Sequence, residues 1–278
     1  MGLLVKVTFM MTRDQNMILM DGWRSTATRR QWMDKTLLKG LEILGYVVKA
    51  KGSVRITDVA AELGLTKGNA YRTLRTLESA GYLTQDSSSK EFVPSMRIWE
   101  MGMAVGGRMD LKSRAAALLQ ALADEYHETG HLARLDGMEV LYIDKIDSIE
   151  PVASYTRLAG RAPAHCVATG KAILSCSDDR VLEPVLNNLK RYSDHTITTK
   201  AEFKEALSEV RKRGFAINRG EWRDTVWGIA APIFDLTGRP VASVGVSGPK
   251  YRIEAEDTLE RLSHLVVAVS RGISEKLT

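Results

Sequence analysis

Cysteine is nearly absent. The 278-residue chain carries two, Cys166 and Cys176, in no Cys-x-x-Cys pair, so neither a disulfide framework nor a cysteine knuckle for zinc is available. The five histidines are scattered and show no tetrahedral metal spacing. Reduced thiols, no cofactor and no metal are therefore expected, in a cytoplasmic setting. Long apolar runs are also missing. None reaches the ~18 residues that a membrane span requires, and no membrane partner is expected. The N-terminal run from Met1 to Phe9 has Lys6 in its middle rather than ahead of it, which is wrong for a secretory signal. Residues 1–32 hold no strongly periodic segment and are expected to form an arm outside the folded domains. Aromatics make up only 6% of the chain, against 44% hydrophobic and 26% charged residues, a composition typical of globular proteins. The length suits two domains.

What charge there is lies unevenly. Residues 1–110 hold 16 Lys and Arg against 11 Asp and Glu, whereas residues 111–278 hold 23 of each. The whole net charge of +5 thus belongs to the first part, as expected if that part meets a polyanion and the second does something else.

The basic part reads as three helices and a hairpin. Leu37, Leu38, Leu41, Ile43, Leu44, Val47 and Val48 recur at helical period over 34–49,. Thr57 and Thr66 are N-cap residue types that open a short second helix (57–63) and a third (66–79), and Gly64 and Gly81 close them,. Ala60, Gly64 and Ala70 form Ala-x3-Gly-x5-Ala. Small residues allow close helix approach and Gly64 allows the tight turn, which is the spacing of a helix-turn-helix. Ala70, Leu74 and Leu77 face inward. Lys67, Gly68, Asn69, Tyr71, Arg72, Arg75 and Thr76 remain for the other face, which can donate to phosphates and base edges. Thr57 and Thr66, at the two helix starts, are counted with this DNA-binding set. Two short β-type runs around Asp86-Ser87-Ser88-Ser89-Lys90 then read as a wing with Lys90 near its tip. A generic helical hairpin with a solvated charged face is the plainer alternative. Residues 33–95 are assigned to this winged helix-turn-helix domain. Residues 96–112 form a helical linker broken at Gly106-Gly107, and a helical pattern resumes over 111–127.

The third part, 113–278, switches to strand period at Leu132. A hairpin through Asp136-Gly137 comes first, then an expected strand over 152–156 and a loop over 160–163. Helices are expected at 167–174, 178–189, 201–213 (capped by Thr199, closed by Gly214) and 256–277, with strands at 215–218, 229–234 and 241–246. The fold class is α+β, with an antiparallel sheet carrying helices on its faces. The stretch from Asn218 to Trp227 mixes charge with two tryptophans. Glu221 and Trp222 in it are candidates for a pocket wall, or for a subunit contact.

Several blocks, in order and across both domains, resemble the IclR family of transcriptional regulators. They are Gly64-Leu65-Thr66-Lys67 with Tyr71-Arg72, Gly81-Tyr82-Leu83, the run from Gly160 to His165 with Gly170-Lys171-Ala172, Arg213-Gly214-Phe215-Ala216, the run from Ile229 to Asp235, and Gly245-Val246-Ser247-Gly248-Pro249. The resemblance spans roughly 34–275. It implies a winged helix-turn-helix and a GAF-like effector domain in a homo-oligomer, a dimer or dimer of dimers, on a pseudo-palindromic double-stranded DNA operator. The implied effector is a small molecule, in the family mostly small organic acids, aromatic acids and sugar-derived metabolites. Its pocket positions fall here on Ala168, Thr169, Asn218, Gly228, Gly245 and Ser247. Position 218, commonly acidic in the family, is Asn here, and Gly68-Asn69 replace the small hydroxyl residues usual at the recognition-helix start.

No catalytic set is evident. His165-Cys166 are neighbours on the chain, where side chains seldom face each other, and no orienting acid accompanies them. The reading is a transcriptional regulator and not an enzyme. The alternative is a ligand-sensing module that docks a protein partner through its helical N-terminus.

Overall fold

The computed structural model describes residues 34–106, 110–154 and 156–277. The expected arm over 1–32 lies outside them. The chain divides into two compact units between Arg108 and Met109.

The first unit holds α1 (Lys35–Lys49), α2 (Ile56–Glu62), α3 (Lys67–Ser79), the hairpin β1 (Leu83–Gln85) and β2 (Phe92–Pro94), and α4 (Met96–Gly106). Asp34 caps α1 by accepting from the backbone N–H groups of Thr36 and Leu37, and Thr66 caps α3 by accepting from Asn69. Thr57, expected as the cap of α2, lies inside its first turn. The cap position is Arg55, and the carboxylate of Asp58 reaches back to the Arg55 backbone N–H. A carboxylate does this better than a threonine hydroxyl because it also complements the helix dipole. Gly64, at φ +62°, makes the turn between α2 and α3, a conformation in which a Cβ is costly. The core joins Ile43, Val47, Val59, Ala60, Ala70, Leu74, Leu83 and Phe92. Fully burying such a leucine or isoleucine contributes about 1.5–3 kcal/mol, which is why three short helices and a two-stranded sheet hold together.

The second unit is a six-stranded antiparallel sheet in the order β5-β4-β3-β8-β7-β6. Its strands are β3 (Thr129–Asp136), β4 (Glu139–Ile146), β5 (Arg161–Pro163), β6 (Ala216–Arg219), β7 (Val226–Phe234) and β8 (Pro240–Pro249). On one face lie α5 (Asp110–Tyr126) and α10 (Glu256–Glu275), packed through Leu119, Leu122, Leu262, Val266 and Ile273 onto Leu132, Ile229 and Val244. On the other lie α6 (Ala168–Ser175), α7 (Asp179–Leu186) and α8 (Lys200–Arg213), and α9 (Lys250–Ile253) precedes α10. The even–odd alternation of β7 accounts for both cores, since Ile229 and Ala231 join the first while Ala230 meets Ala168, Ala172 and Val210,. Two expectations change here. The described residues of the expected strand, 152–154 and 156, are not in a strand, and 161–163, expected as loop, form the edge strand β5 paired to β4. Residues 161–163 sit at an edge, where one proline is tolerated without breaking the ladder.

Candidate functional site

In the first unit, α3 buries Ala70 and Leu74 and leaves Lys67, Gly68, Tyr71, Arg72, Arg75 and Thr76 exposed, with Asn69 half-buried. Arg72 Nη2 donates to Asn69 Oδ1 at 3.0 Å, which orients a guanidinium on an open face. Arg75 is instead held by Glu78 at 2.6 Å, so it reaches a phosphate only by leaving that pair. A Cβ on Gly68 would meet nothing within 4 Å. Its glycine is therefore not required by packing within this unit. The wing turn is built on Asp86, whose carboxylate accepts from the Ser88 hydroxyl at 2.6 Å and from the Ser89 backbone at 2.7 Å. Those bonds, the Ser88 hydroxyl foremost, hold the Asp86 carboxyl well below the usual carboxylate range,. Lys90, at φ +60°, ends that turn fully in solvent.

In the second unit a cavity lies between the sheet and α6. Of the residues expected there, Ala168, Thr169, Asn218, Trp222, Gly228 and Ser247 line it. Two fall elsewhere. Gly245 lies opposite His131 in the β3–β8 register, and a Cβ there would strike the Ile229 carbonyl, so it is a packing glycine. Glu221 is buried in an ion pair with Lys171 of α6. Burial pushes the Lys171 ammonium pKa down, while the Glu221 charge opposes that shift,. Asn218 Oδ1 accepts from the Glu221 backbone at 2.9 Å, and the Glu221 carbonyl accepts from Thr196 Oγ1 at 2.6 Å. These bonds anchor the segment that brings Trp222 and Arg223 to the wall.

His131, Tyr142, Ser154, Thr156 and Arg223 line the cavity as well; of these only Arg223, in the charged and aromatic stretch 218–227, is a candidate from sequence. His131 sits one residue before the expected strand start, and Ser154 lies in the stretch read as a strand. What brings His131 to Ser247 is the β3–β8 pairing across more than a hundred residues, and Ser154 reaches the same point from the connection after β4, held there by Thr129 Oγ1 donating to its carbonyl; no local pattern reveals either. His131 Nε2 lies 2.6 Å from Ser247 Oγ, whose hydroxyl donates to Ser154 Oγ at 3.1 Å. The His131 ring packs against Tyr142 with centroids 5.0 Å apart. Burial lowers the His131 pKa to about 3, with Lys145 adding to that and Asp147 opposing it, so the ring is neutral at physiological pH. Arg223 stacks on Trp222 at 4.6 Å and brings the one formal charge to the lining among the described residues. The space is narrow: the centre of a water-sized sphere sweeps about 40 Å³ of it.

The neighbouring His165-Cys166 pair does not assemble as a nucleophile. His165 Nε2 contacts the Lys190 carbonyl at 2.9 Å, and burial pushes the Cys166 thiol up to about 12, far from a thiolate at neutral pH. Among the described residues no helix is long and apolar enough to cross a membrane.

Comparison with known proteins places both units. Residues 36–87 match the IclR helix-turn-helix domain, and residues 103–275 match the family described as bacterial transcriptional regulator IclR C-terminal. Over 242 residues the chain is 30% identical to the HTH-type transcriptional regulator KdgR of Dickeya chrysanthemi, covering 85% of this chain and 79% of that one. The crystal structure of Thermotoga maritima IclR matches with a TM-score of 0.71 at 32% identity, over 87% of this chain and 98% of that one. An IclR homolog of Microbacterium hydrocarbonoxydans, crystallised with 4-hydroxybenzoate, matches with a TM-score of 0.76 over 87% of this chain and 99% of that one. At 23% identity that last likeness is one of fold. With a helix-turn-helix unit that presents a basic face and a second unit that encloses a cavity, the chain belongs to the IclR family of DNA-binding bacterial transcriptional regulators.

Proposed function

We propose that this regulator binds a pseudo-palindromic operator as a homo-oligomer, through α3 and the wing, and that a small organic acid in the α6 cavity controls that binding. The observation that carries the effector reading is the start of α6. Its N-cap, Val167, offers no side-chain cap, so the first backbone N–H groups, at Ala168 and Thr169, are left for a ligand on the wall of a cavity that mixes polar and apolar side chains. A helix N-terminus favours an anion by hydrogen bonding and by its dipole, and Arg223 adds a positive charge to the same wall. The 4-hydroxybenzoate bound by the Microbacterium protein carries the anionic charge this reading calls for. In the small space present here, such a ligand enters by displacing the wall around Trp222 and Thr156.

On the DNA side, Lys67 and Lys90 are assigned to phosphates, and Asn69, Tyr71 and Arg72 to base edges. Arg75 is assigned to the same surface once it releases Glu78. Thr66 keeps its role as cap, and Thr57 offers a phosphate contact at the start of α2. Exposed Leu37 and Leu41 on α1, and Trp99 and Met101 on α4, support self-association, because solvent-facing apolar residues in such number mark protein contacts. The function is binding rather than catalysis, and its place is the cytoplasm, where operators are.

A mobility-shift series on duplex DNA tests this. Affinity should fall steeply with salt, as counterion release from several phosphate contacts requires. An operator fragment drawn from the neighbouring genome should bind more tightly than random duplex, and an organic acid should change that affinity. Absence of DNA binding even at low salt would overturn the reading, and light scattering of a strict monomer would overturn the homo-oligomer.

A further inference from the structure

We propose that His131 is a ligand-reading residue of the effector cavity: its Nδ1 is a bare hydrogen-bond acceptor, so the effector carries a hydroxyl or N–H donor in addition to its acid group. This rests on the reading of the cavity as the effector site and narrows the ligand class.

His131 is 2% exposed and presents two ring nitrogens with different fates. Nε2 lies 2.6 Å from Ser247 Oγ. The Ser247 hydroxyl proton is directed to Ser154 Oγ, so the oxygen presents a lone pair to the ring, and the imidazole proton resides on Nε2. Nδ1 then carries the other lone pair, and it has no protein partner among the described residues. A buried acceptor left unmade costs on the order of 1–3 kcal/mol, and such atoms call for an explanation. Here the explanation lies in position, because His131 lines the cavity together with Thr169, whose hydroxyl faces the Tyr142 phenol. Thr169 stands at the start of α6, where the acid group is placed, while His131 stands on the sheet at the opposite wall. Because the ring stays neutral, it cannot serve as a second cation for a dicarboxylate. It can only accept at Nδ1, and a ligand without a donor there leaves Nδ1 unpaired.

The test has two arms. In the first, full-length protein labelled with [15N]histidine is examined by NMR, with the His131 signals assigned by comparison with His131→Phe. The expected result is a proton on Nε2 and a bare Nδ1; a proton on Nδ1 overturns the proposal without any ligand. In the second, matched acids with and without a hydroxyl are compared by thermal shift: 3- and 4-hydroxybenzoate against benzoate, glycolate against acetate, and lactate against propionate. A hydroxylated member should bind at least about tenfold more tightly than its partner, the worth of one hydrogen bond, and the preference should vanish in His131→Phe and persist in part in His131→Asn, whose Oδ1 can accept in place of Nδ1. Equal binding of both members overturns the role of His131 and leaves the effector cavity standing. If no acid shifts a protein that still binds its operator, the organic-acid reading fails, and this narrower one fails with it.

Discussion

His131 Nε2 and Ser247 Oγ lie 2.6 Å apart, on antiparallel strands that pair β3 with β8. Ser247 joins the ring on one side to Ser154 on the other, so a single hydroxyl ties two strands to the 147–160 connection. Ser247→Ala should therefore act on both stability and ligand response. It strands the Nε2–H of His131, a loss on the order of 1–3 kcal/mol, to be measured by urea denaturation. At 100 times its dissociation constant a ligand stabilises the native state by about 2.7 kcal/mol, and this variant should show a smaller gain at the same concentration while still binding DNA. An undiminished ligand gain would remove Ser247 from the cavity chemistry.

The same ring makes stability depend on pH. Burial lowers the native pKa of His131 from 6.5 to about 3. Below pH 6.5 the unfolded chain takes up a proton that the native ring refuses, so the unfolded state gains as pH falls. The full contribution is present above pH 6.5 and is lost progressively from there toward pH 3. At pH 5 the loss from this one group is about 2 kcal/mol relative to pH 8. His165, also depressed by burial, adds a loss of the same sign. Denaturation at pH 8 and pH 5 should show His131→Phe with a shallower decline than the unaltered protein, whatever its absolute stability. Parallel declines would mean that the ring titrates normally in the native state.

Locally specified features were legible in the chain. The N-cap at Thr199, the left-handed Gly214 that ends α8, and the Gly137 hairpin between β3 and β4 each follow from one or two residues and their conformational preferences. Ala60, Gly64 and Ala70 likewise announce the α2–α3 pair. What failed to show was set by distant pairing. His131, Ser154 and Ser247 look unrelated until β3 and β8 are hydrogen-bonded. Glu221, exposed by any local count of charge, is buried because Lys171 comes from another element to meet it. Gly245 is a pocket position by resemblance, yet its role is to let β7 approach, since a Cβ there would strike the Ile229 carbonyl.

The Lys171–Glu221 pair is expected to be costly to break and cheap to replace. Both side chains are over nine-tenths buried, and Glu221 Oε2 has no further partner among the described residues. Removing the ammonium in Lys171→Met leaves a carboxylate in a low-dielectric setting, which costs about 3–5 kcal/mol. The double variant Lys171→Met with Glu221→Leu removes both desolvation costs and should recover most of that loss. Chemical denaturation of the two singles and the double forms a cycle that reads the coupling directly. If the double variant is as unstable as the sum of the singles, the ion pair is not what anchors the Trp222 wall to α6.

Gly68 and Arg72 make opposite demands on fold and on DNA, which allows the recognition surface to be tested without confusing misfolding with lost contact. Arg72 is exposed and, among the described residues, its guanidinium bonds only Asn69, so Arg72→Ala should leave the melting curve unchanged. It should weaken operator binding by about 1–3 kcal/mol if the guanidinium reads a base edge, with specificity relaxed at that position. A phosphate contact would instead weaken all sequences alike and reduce the salt dependence. Gly68 lies in the first turn of α3 with open space around it, so Gly68→Ala should not destabilise the protein and should stabilise it by at most about 1 kcal/mol. Yet if the backbone there approaches DNA as closely as an exposed helix-start glycine allows, the added methyl should lower operator affinity. Both measurements are needed on each variant, by calorimetry and by titration of labelled operator. A Gly68→Ala protein that melts higher and binds as tightly as the parent would place the DNA away from the start of α3.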